Sequence, residues 1–235
     1  MQPKIGIILI NYKTYAKRFL EDCRDSLRLV DYPREKYIVY IVDNATTPET
    51  QEYLHVTWSE AVVLPNKKNS GWGGGNNVGI ERAFADGCED IVLSNMDVIV
   101  DRQWLKELVE AAYSESEPPL TPPSKGGEKN VSSPYQGEVR RGSIGIVQSK
   151  LLLWPIKDGV QRINSVGNQI HFLGFGYCQG YGEIDDAHNP SQPPLTLRGG
   201  ELSNIPYASG ASMYVKGEVF KKIGLCNPDF FMYHD

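Results

Sequence analysis

Three short aliphatic runs each stop on an asparagine or an aspartate. Ile5 to Ile10 (IGIILI) runs into Asn11-Tyr12, Tyr37 to Val42 (YIVYIV) into Asp43-Asn44, and Ile91 to Ser94 (IVLS) into Asn95-Met96-Asp97. An apolar run without polar alternation reads as a strand covered on both faces. Between the first two runs, Phe19, Leu20, Cys23, Leu27 and Val30 recur at helical spacing, and Pro33 stands at or past that helix's end. Thr47-Pro48 reads as an N-cap followed by proline at the first helical position, opening a short helix to about His55, and Val62 to Leu64 reads as a further strand. Strands alternating with helices imply a mainly parallel α/β sheet sandwiched by helices. In such sheets ligands bind beyond the carboxyl ends of the strands, where the Asn and Asp residues collect.

Asn69 to Asn77 (NSGWGGGNN) reads as a glycine-rich loop, with a helix opening at its end through Val78, Ile80, Ala83 and Phe84. Glycine lets a backbone approach another group closely, and a helix opening presents free N–H groups to an anion. The dinucleotide fingerprint does not fit, because Asn76 stands where its third glycine belongs, and no phosphate-loop G-x-x-x-x-G-K-[ST] is present. A purely structural glycine turn stays open. Asp101 is expected to cap a helix that buries Trp104, Leu105, Leu108, Val109 and Ala112.

Residues 115–142 break the pattern, with five of the chain's 15 prolines and four of its 23 glycines. Too few apolar side chains are present to offset the entropy of ordering, so a flexible surface insertion is expected, with a Pro-rich docking peptide as the alternative. Ile144 to Val147 reads as another core strand. Residues 151–206 read as short, partly antiparallel pieces and long loops around the aromatics Phe172, Phe175, Tyr177 and Tyr181. Ala208 to Val215 reads as a small-residue turn entering a strand, and Gly217 to Ile223 as a short helix stopped by Gly224. The whole, residues 1–235, reads as one domain.

Lys and Arg total 24 against 29 Asp and Glu, a net charge of −5, which argues against a nucleic-acid partner. Cys23, Cys88, Cys178 and Cys226 lack metal or C-x-x-C spacing and read as reduced thiols of a cytoplasmic protein. No leader and no transmembrane segment is expected. His55, His171, His188 and His234 show no metal-binding spacing. A carboxylate such as Asp97 at a strand end suits a hard divalent cation completed by phosphates and water; an Asx turn is the alternative. Asp43-Asn44 suits a base or ribose, again with a turn as the alternative.

The segments IGIILINYKT, YIVYIVDNAT, NSGWGGGNNVGI, IVLSNMDVIV and ASGASMYVKGEVFKKIGLCNPDFFMYHD, in this order, resemble a family 2 glycosyltransferase of GT-A (Rossmann-like) fold, in its rhamnosyltransferase-like branch. The resemblance spans residue 4 to the last residue, interrupted by 115–142. It implies a UDP- or dTDP-sugar donor, a divalent metal (Mg2+ or Mn2+), and inverting transfer to a hydroxyl of a polysaccharide, glycolipid or other lipid-linked acceptor. The setting implied is cell wall or cell-surface polysaccharide biosynthesis, in the cytoplasm or peripherally at the inner membrane face. Carried over by position, Asn11, Tyr12 and Asn44 lie against the nucleotide, and Asp43 contacts base or ribose. Asn69, Gly71, Gly74, Asn76 and Asn77 shape the donor pocket. Asn95-Met96-Asp97 stands at the D-x-D motif, with Asp97 the metal ligand and Asn95 on the donor side. Ser209, Gly210, Ala211 and His234 line the sugar and acceptor side.

The family continues Y-x-E-D-x-D-L and places its general base at the carboxylate pair. Tyr233-His234-Asp235 supplies only the first carboxylate, so Asp235 is the candidate base. A C-terminally truncated domain is expected, with a non-catalytic nucleotide-sugar-binding fragment as the alternative. A sugar nucleotidyltransferase would need a basic glycine-rich loop after the first strand, and INYKTYAK offers none.

Overall fold

Alternating side chains along the first strand, β1 (Ile5–Tyr12), feed two separate cores. Ile5, Ile7 and Leu9 pack with Leu20, Cys23 and Leu27 of α1 (Ala16–Arg28) on one face of the sheet. Ile8, on the other face, packs with Tyr40 and Val42 of β2 (Tyr37–Asn44) and with Ile80 and Ala83 of α3 (Gly71–Ala85). This two-sided burial is why the run carries no polar residue. The computed structural model describes residues 2–114, 144–171, 173, 175–185 and 205–230.

The remaining elements are α2 (Pro48–Thr57), β3 (Val62–Asn66), β4 (Asp90–Ser94), α4 (Trp104–Ala112), β5 (Ile146–Gln148), β6 (Leu151–Leu152), β7 (Ile163–Ser165), β8 (Asn168–Ile170), β9 (Gly176–Cys178), β10 (Ser212–Lys216) and α5 (Gly217–Ile223). The main sheet runs β3-β2-β1-β4-β10-β5. Its first four strands are parallel, with Asn11 opposite Asp43 and Tyr12 opposite Asn44. β10 is antiparallel to both β4 and β5. β6 with β7, and β8 with β9, form two antiparallel pairs. This is the α/β sandwich that the sequence implies. No helix among the described residues is long and apolar enough to cross a membrane.

Local signals explain most boundaries. Thr50 N donates to Thr47 Oγ1 at 3.2 Å and Thr47 N to Thr50 Oγ1 at 2.9 Å, a reciprocal box that opens α2. Asp101 Oδ1 accepts from Gln103 N at 2.8 Å, just ahead of α4, whose five expected apolar residues are all buried. Gly224, at φ 88°, stops α5. At the amino end of β4, buried Asp90 accepts from Tyr214 at 2.6 Å, Tyr113 at 2.7 Å and the Gly217 amide at 2.7 Å.

Two expectations are corrected. The glycine run is not a loop: α3 begins at Gly71 and absorbs it. A Cβ on Gly79 would stand 2.5 Å from Ile8 Cγ2, and one on Gly75 2.8 Å from both Ile10 Cδ1 and Asn44 Nδ2. Glycine is used here so that a helix can press onto the sheet, which outweighs a propensity cost of about 1 kcal/mol per residue. The segment expected as a core strand from Ile144 begins at Ile146 and is the outer strand, with Ile146 44% exposed. The 115–142 insertion and Phe172 lie outside the described residues.

Candidate functional site

The carboxyl rim of the sheet is held by a buried polar lattice. Asn11 Nδ2 donates to Asp43 Oδ1 at 2.6 Å, and Asn11 Oδ1 accepts from Ala16 N, opening α1. Asp43 Oδ2 accepts from Thr46 Oγ1 at 2.5 Å and Thr50 Oγ1 at 2.6 Å. Both Asn11 and Asp43 are almost fully shielded from solvent. Immediately beyond, Lys13 (φ 54°) and Ala45 (φ 59°) take the left-handed conformation that non-glycine residues rarely adopt. Such strain clusters at ligand sites. Tyr12 is exposed at the same rim, with Lys13 Nζ 5.0 Å from its ring centre.

Asn44 ties that rim to the start of α3. Its Nδ2 donates to the Gly71 carbonyl at 3.0 Å, and its Oδ1 accepts from Asn66 Nδ2 at 3.0 Å and Ser70 Oγ at 3.2 Å. Asn69 Oδ1 accepts from Gly71 N at 3.0 Å, and Gly71 has φ 76°, a conformation that glycine adopts without strain. The opening turn of α3 therefore sits at the carboxyl rim.

Beyond β4, Asn95 N donates to the Ala211 carbonyl at 3.2 Å, and Ser94 Oγ donates to the same oxygen at 3.1 Å. Because β10 runs antiparallel, its entering turn, Ser209-Gly210-Ala211, arrives at the rim where the parallel strands end. Ser209 N donates to Gln148 Oε1 at 2.7 Å, and Gly210 lies against the Trp72 indole with no room for a Cβ. Ser94, Asn95 and the Ser209–Ala211 turn are thus brought together, with Asp97 two residues further along the chain.

Met96 is buried while Asp97 is exposed. Burial first, and then the nearby Asp97 charge, raises the Tyr15 pKa. Burial, with a smaller push from Asp97, drives the Cys23 thiol up to about 12.

Among the described residues, no group of three or more His, Cys, Asp or Glu gathers in a metal-binding cluster. An Mg2+-type ion needs only one or two protein carboxylates when phosphates and water complete its shell. The exposed Asp97, beside the half-buried Asn95, fits that sparse donor set.

Other expected site residues have protein partners. Asn76 is buried, its Nδ2 donating to the Trp72 carbonyl at 3.0 Å. Asn77 clamps the Cys226 backbone, donating to its carbonyl at 2.7 Å and accepting from its N at 3.0 Å. Gly74 faces Ser70 and Pro228. His234 and Asp235 lie outside the described residues. Sequence reasoning missed Tyr15, Thr46, Thr50, Trp72 and Gln148; only Thr46 and Thr50 carried a signal, flanking the Thr47 cap.

The description of glycosyl transferase family 2 matches residues 5–178, from β1 through β9. The low-salt glycan biosynthesis hexosyltransferase Agl10 of Haloferax volcanii is 21% identical over 239 residues, which cover 100% of this chain and 60% of Agl10. The chain therefore spans about 60% of the length of that curated relative. Mannosyltransferase PcManGT from Pyrobaculum calidifontis, in complex with GDP-Man and Mn2+, superposes with a TM-score of 0.43 at 21% identity, over 49% of this chain and 34% of its own. S. aureus TarS 1-349 superposes with a TM-score of 0.40 at 22% identity, over 46% of this chain and 32% of its own. With the match running through the strands that build the rim, this chain belongs to glycosyl transferase family 2.

Proposed function

We propose that the chain takes part in inverting, metal-dependent transfer of a hexosyl or rhamnosyl group. The donor is a nucleoside-diphosphate sugar (UDP- or dTDP-linked), and the acceptor is a hydroxyl of a polysaccharide or lipid-linked saccharide. The observation that carries this reading is the exposed Asp97 carboxylate just beyond β4, two residues past the Asn95 amide that bonds the Ser209–Ala211 turn, in a chain of this family. The glycan-biosynthesis role in Agl10's name supports a saccharide acceptor.

Each residue has a task in this reading. The Asn11–Asp43 lattice fixes the end of β1, so exposed Tyr12 presents a preformed edge to the nucleotide, while buried Asn44, bonded to Gly71, Asn66 and Ser70, holds the rim behind it. The opening of α3 turns its free N–H ends toward the same rim, favourable to the diphosphate. Asp97 holds the divalent metal, which when bound neutralises charge on the departing nucleoside diphosphate. Ser209, Gly210 and Ala211 line the sugar, with His234 on the acceptor side. Asp235 takes the acceptor hydroxyl's proton as that oxygen attacks the anomeric carbon from the face opposite the leaving group. The proposed setting is cell-surface polysaccharide assembly at the cytoplasmic side of a membrane.

Titration with UDP, dTDP and their sugars, with and without Mn2+ or Mg2+, tests the reading. Metal-dependent nucleotide binding and slow donor hydrolysis are expected. Absence of binding at millimolar donor overturns it.

A further inference from the structure

We infer that the outer face of the β8–β9 hairpin is a docking platform for the uncharged part of a saccharide chain. Identifying that chain as the acceptor rests on the glycosyltransferase reading above; the platform itself does not.

The face follows from the register. Gln169 lies opposite Tyr177 and Ile170 opposite Gly176. His171 N donates to the Phe175 carbonyl at 2.8 Å, and Gln179 N to the Gly167 carbonyl at 2.9 Å, extending the ladder at both ends. Alternation then places Gln169, His171, Phe175, Tyr177 and Gln179 on one side. The other side is mixed: Asn168 is buried and Gly176 lies against the Tyr207 hydroxyl with no room for a Cβ, while Ile170 and Cys178 are exposed.

The outer side carries aromatic rings and amides and no Lys, Arg, Asp or Glu. The His171 and Phe175 rings stack 4.8 Å apart at 3°. Gln169 Nε2 donates to Gln179 Oε1 at 2.9 Å, making an amide rail beside them. Phe175 is 57% exposed and Tyr177 52%. In a chain with 24 Lys and Arg and 29 Asp and Glu, none falls between Arg162 and Glu183. A face without formal charge has nothing to offer a nucleic acid or an anionic headgroup. Ring faces cover the C–H face of a pyranose, and primary amides both donate to and accept from hydroxyls. Neutral saccharide matches both features.

The position is also suited to an acceptor. Asn168 bridges to Tyr207, two residues ahead of the Ser209–Ala211 turn. Gln148 joins the same two parts, accepting from Ser209 N at 2.7 Å and donating to Ser165 Oγ at 3.5 Å. A saccharide lying on the hairpin is thus joined through Tyr207 to the segment that leads into the Ser209–Ala211 turn.

The test uses the 235-residue chain on a panel of immobilised neutral and anionic oligosaccharides, with UDP binding measured on the same preparations. Retention of neutral oligosaccharides is expected, weakened about tenfold or more by Phe175→Ser or Tyr177→Ser with UDP affinity and thermal midpoint unchanged. If either variant fails to fold, Gln169→Ala, which removes only the amide rail, must weaken retention. Four results overturn the proposal: no neutral oligosaccharide retained, equal retention by the variants, retention of anionic glycans alone, or binding to phosphatidylcholine vesicles instead. UDP binding without glycan retention removes the platform and leaves the glycosyltransferase reading. Glycan retention without UDP binding does the reverse.

Discussion

Asn11 and Asp43, opposite one another on neighbouring parallel strands, share a 2.6 Å hydrogen bond with both side chains shielded from water. The bond ends a lattice in which Asp43 also accepts from Thr46 and Thr50, and Thr50 in turn closes the capping box with Thr47 that opens α2. One carboxylate therefore serves both the rim and the start of a helix.

Asp43→Ala takes from Thr46 Oγ1 its acceptor and leaves Asn11 Nδ2 and Thr50 Oγ1 only their longer bonds, to the Lys13 carbonyl at 3.3 Å and the Thr47 carbonyl at 3.0 Å. A loss of about 3 kcal/mol of stability is expected from these lost charged hydrogen bonds and a weakened cap. Urea unfolding followed by circular dichroism measures it. A loss under about 0.5 kcal/mol, the range of ordinary surface changes, would contradict the lattice.

Gly79→Ala is expected to destabilise although alanine is the better helix former. The new methyl meets Ile8 Cγ2 at 2.5 Å, at the centre of the α3 contact with the sheet. Overpacking of that kind costs about 1–3 kcal/mol, against a propensity gain of about 1 kcal/mol. Thermal midpoints of the variant and the parent chain decide the sign.

Asp97→Asn is expected to leave the fold intact, since the side chain is exposed. It should abolish the rise in thermal midpoint given by UDP plus Mn2+. A nucleotide at about a hundredfold over its Kd stabilises by roughly 2.7 kcal/mol, well within reach of a thermal shift. The same substitution removes the charge that helps hold up the Tyr15 and Cys23 pKa values, so both should fall. An unchanged metal-dependent shift would remove Asp97 from the metal site.

Alkaline pH should destabilise the fold through Cys23 and Tyr32. Burial raises the Cys23 thiol from 9.0 to about 12 and the Tyr32 phenol from 10.0 to about 12. Both groups stay protonated in the folded chain where the unfolded chain has released them. Their contribution is thus whole below pH 9 and is lost as pH rises through about 12. Each group costs up to about 1.4 kcal/mol per pH unit in that window. Urea midpoints at pH 8, 9.5 and 10.5 should fall in that order. Iodoacetamide at pH 8 should label exposed Cys178 well before Cys23.

The four parallel strands were legible because two-sided burial writes itself as an unbroken apolar run, and their polar ends were legible by contrast. The Thr47 cap and the Gly224 stop were legible because capping is a local hydrogen-bond problem. The helical start of α3 was not, because what places Gly75 and Gly79 is the surface of β1 and β2, about which a glycine run says nothing by itself. Nor was the outer position of β5, which depends on β10 pairing with β4 from far along the chain. Asn77's grip on Cys226 joins residues 149 positions apart, beyond any spacing rule. In the site, the rim residues could be named but not divided between those that face a ligand and those, like Asp43 and Asn76, already engaged by neighbours.

The hydrogen bond from Asn95 N to the Ala211 carbonyl carries one more implication. The two segments it joins are far apart in the chain, with Ser94 and Ala211 separated by 117 positions. Whatever the chain does between them leaves and returns through the same doorway. Within that tract α4 and β5 are fixed by the core and by β10, so only the stretches between those elements are free to vary in length without moving the strands on either side.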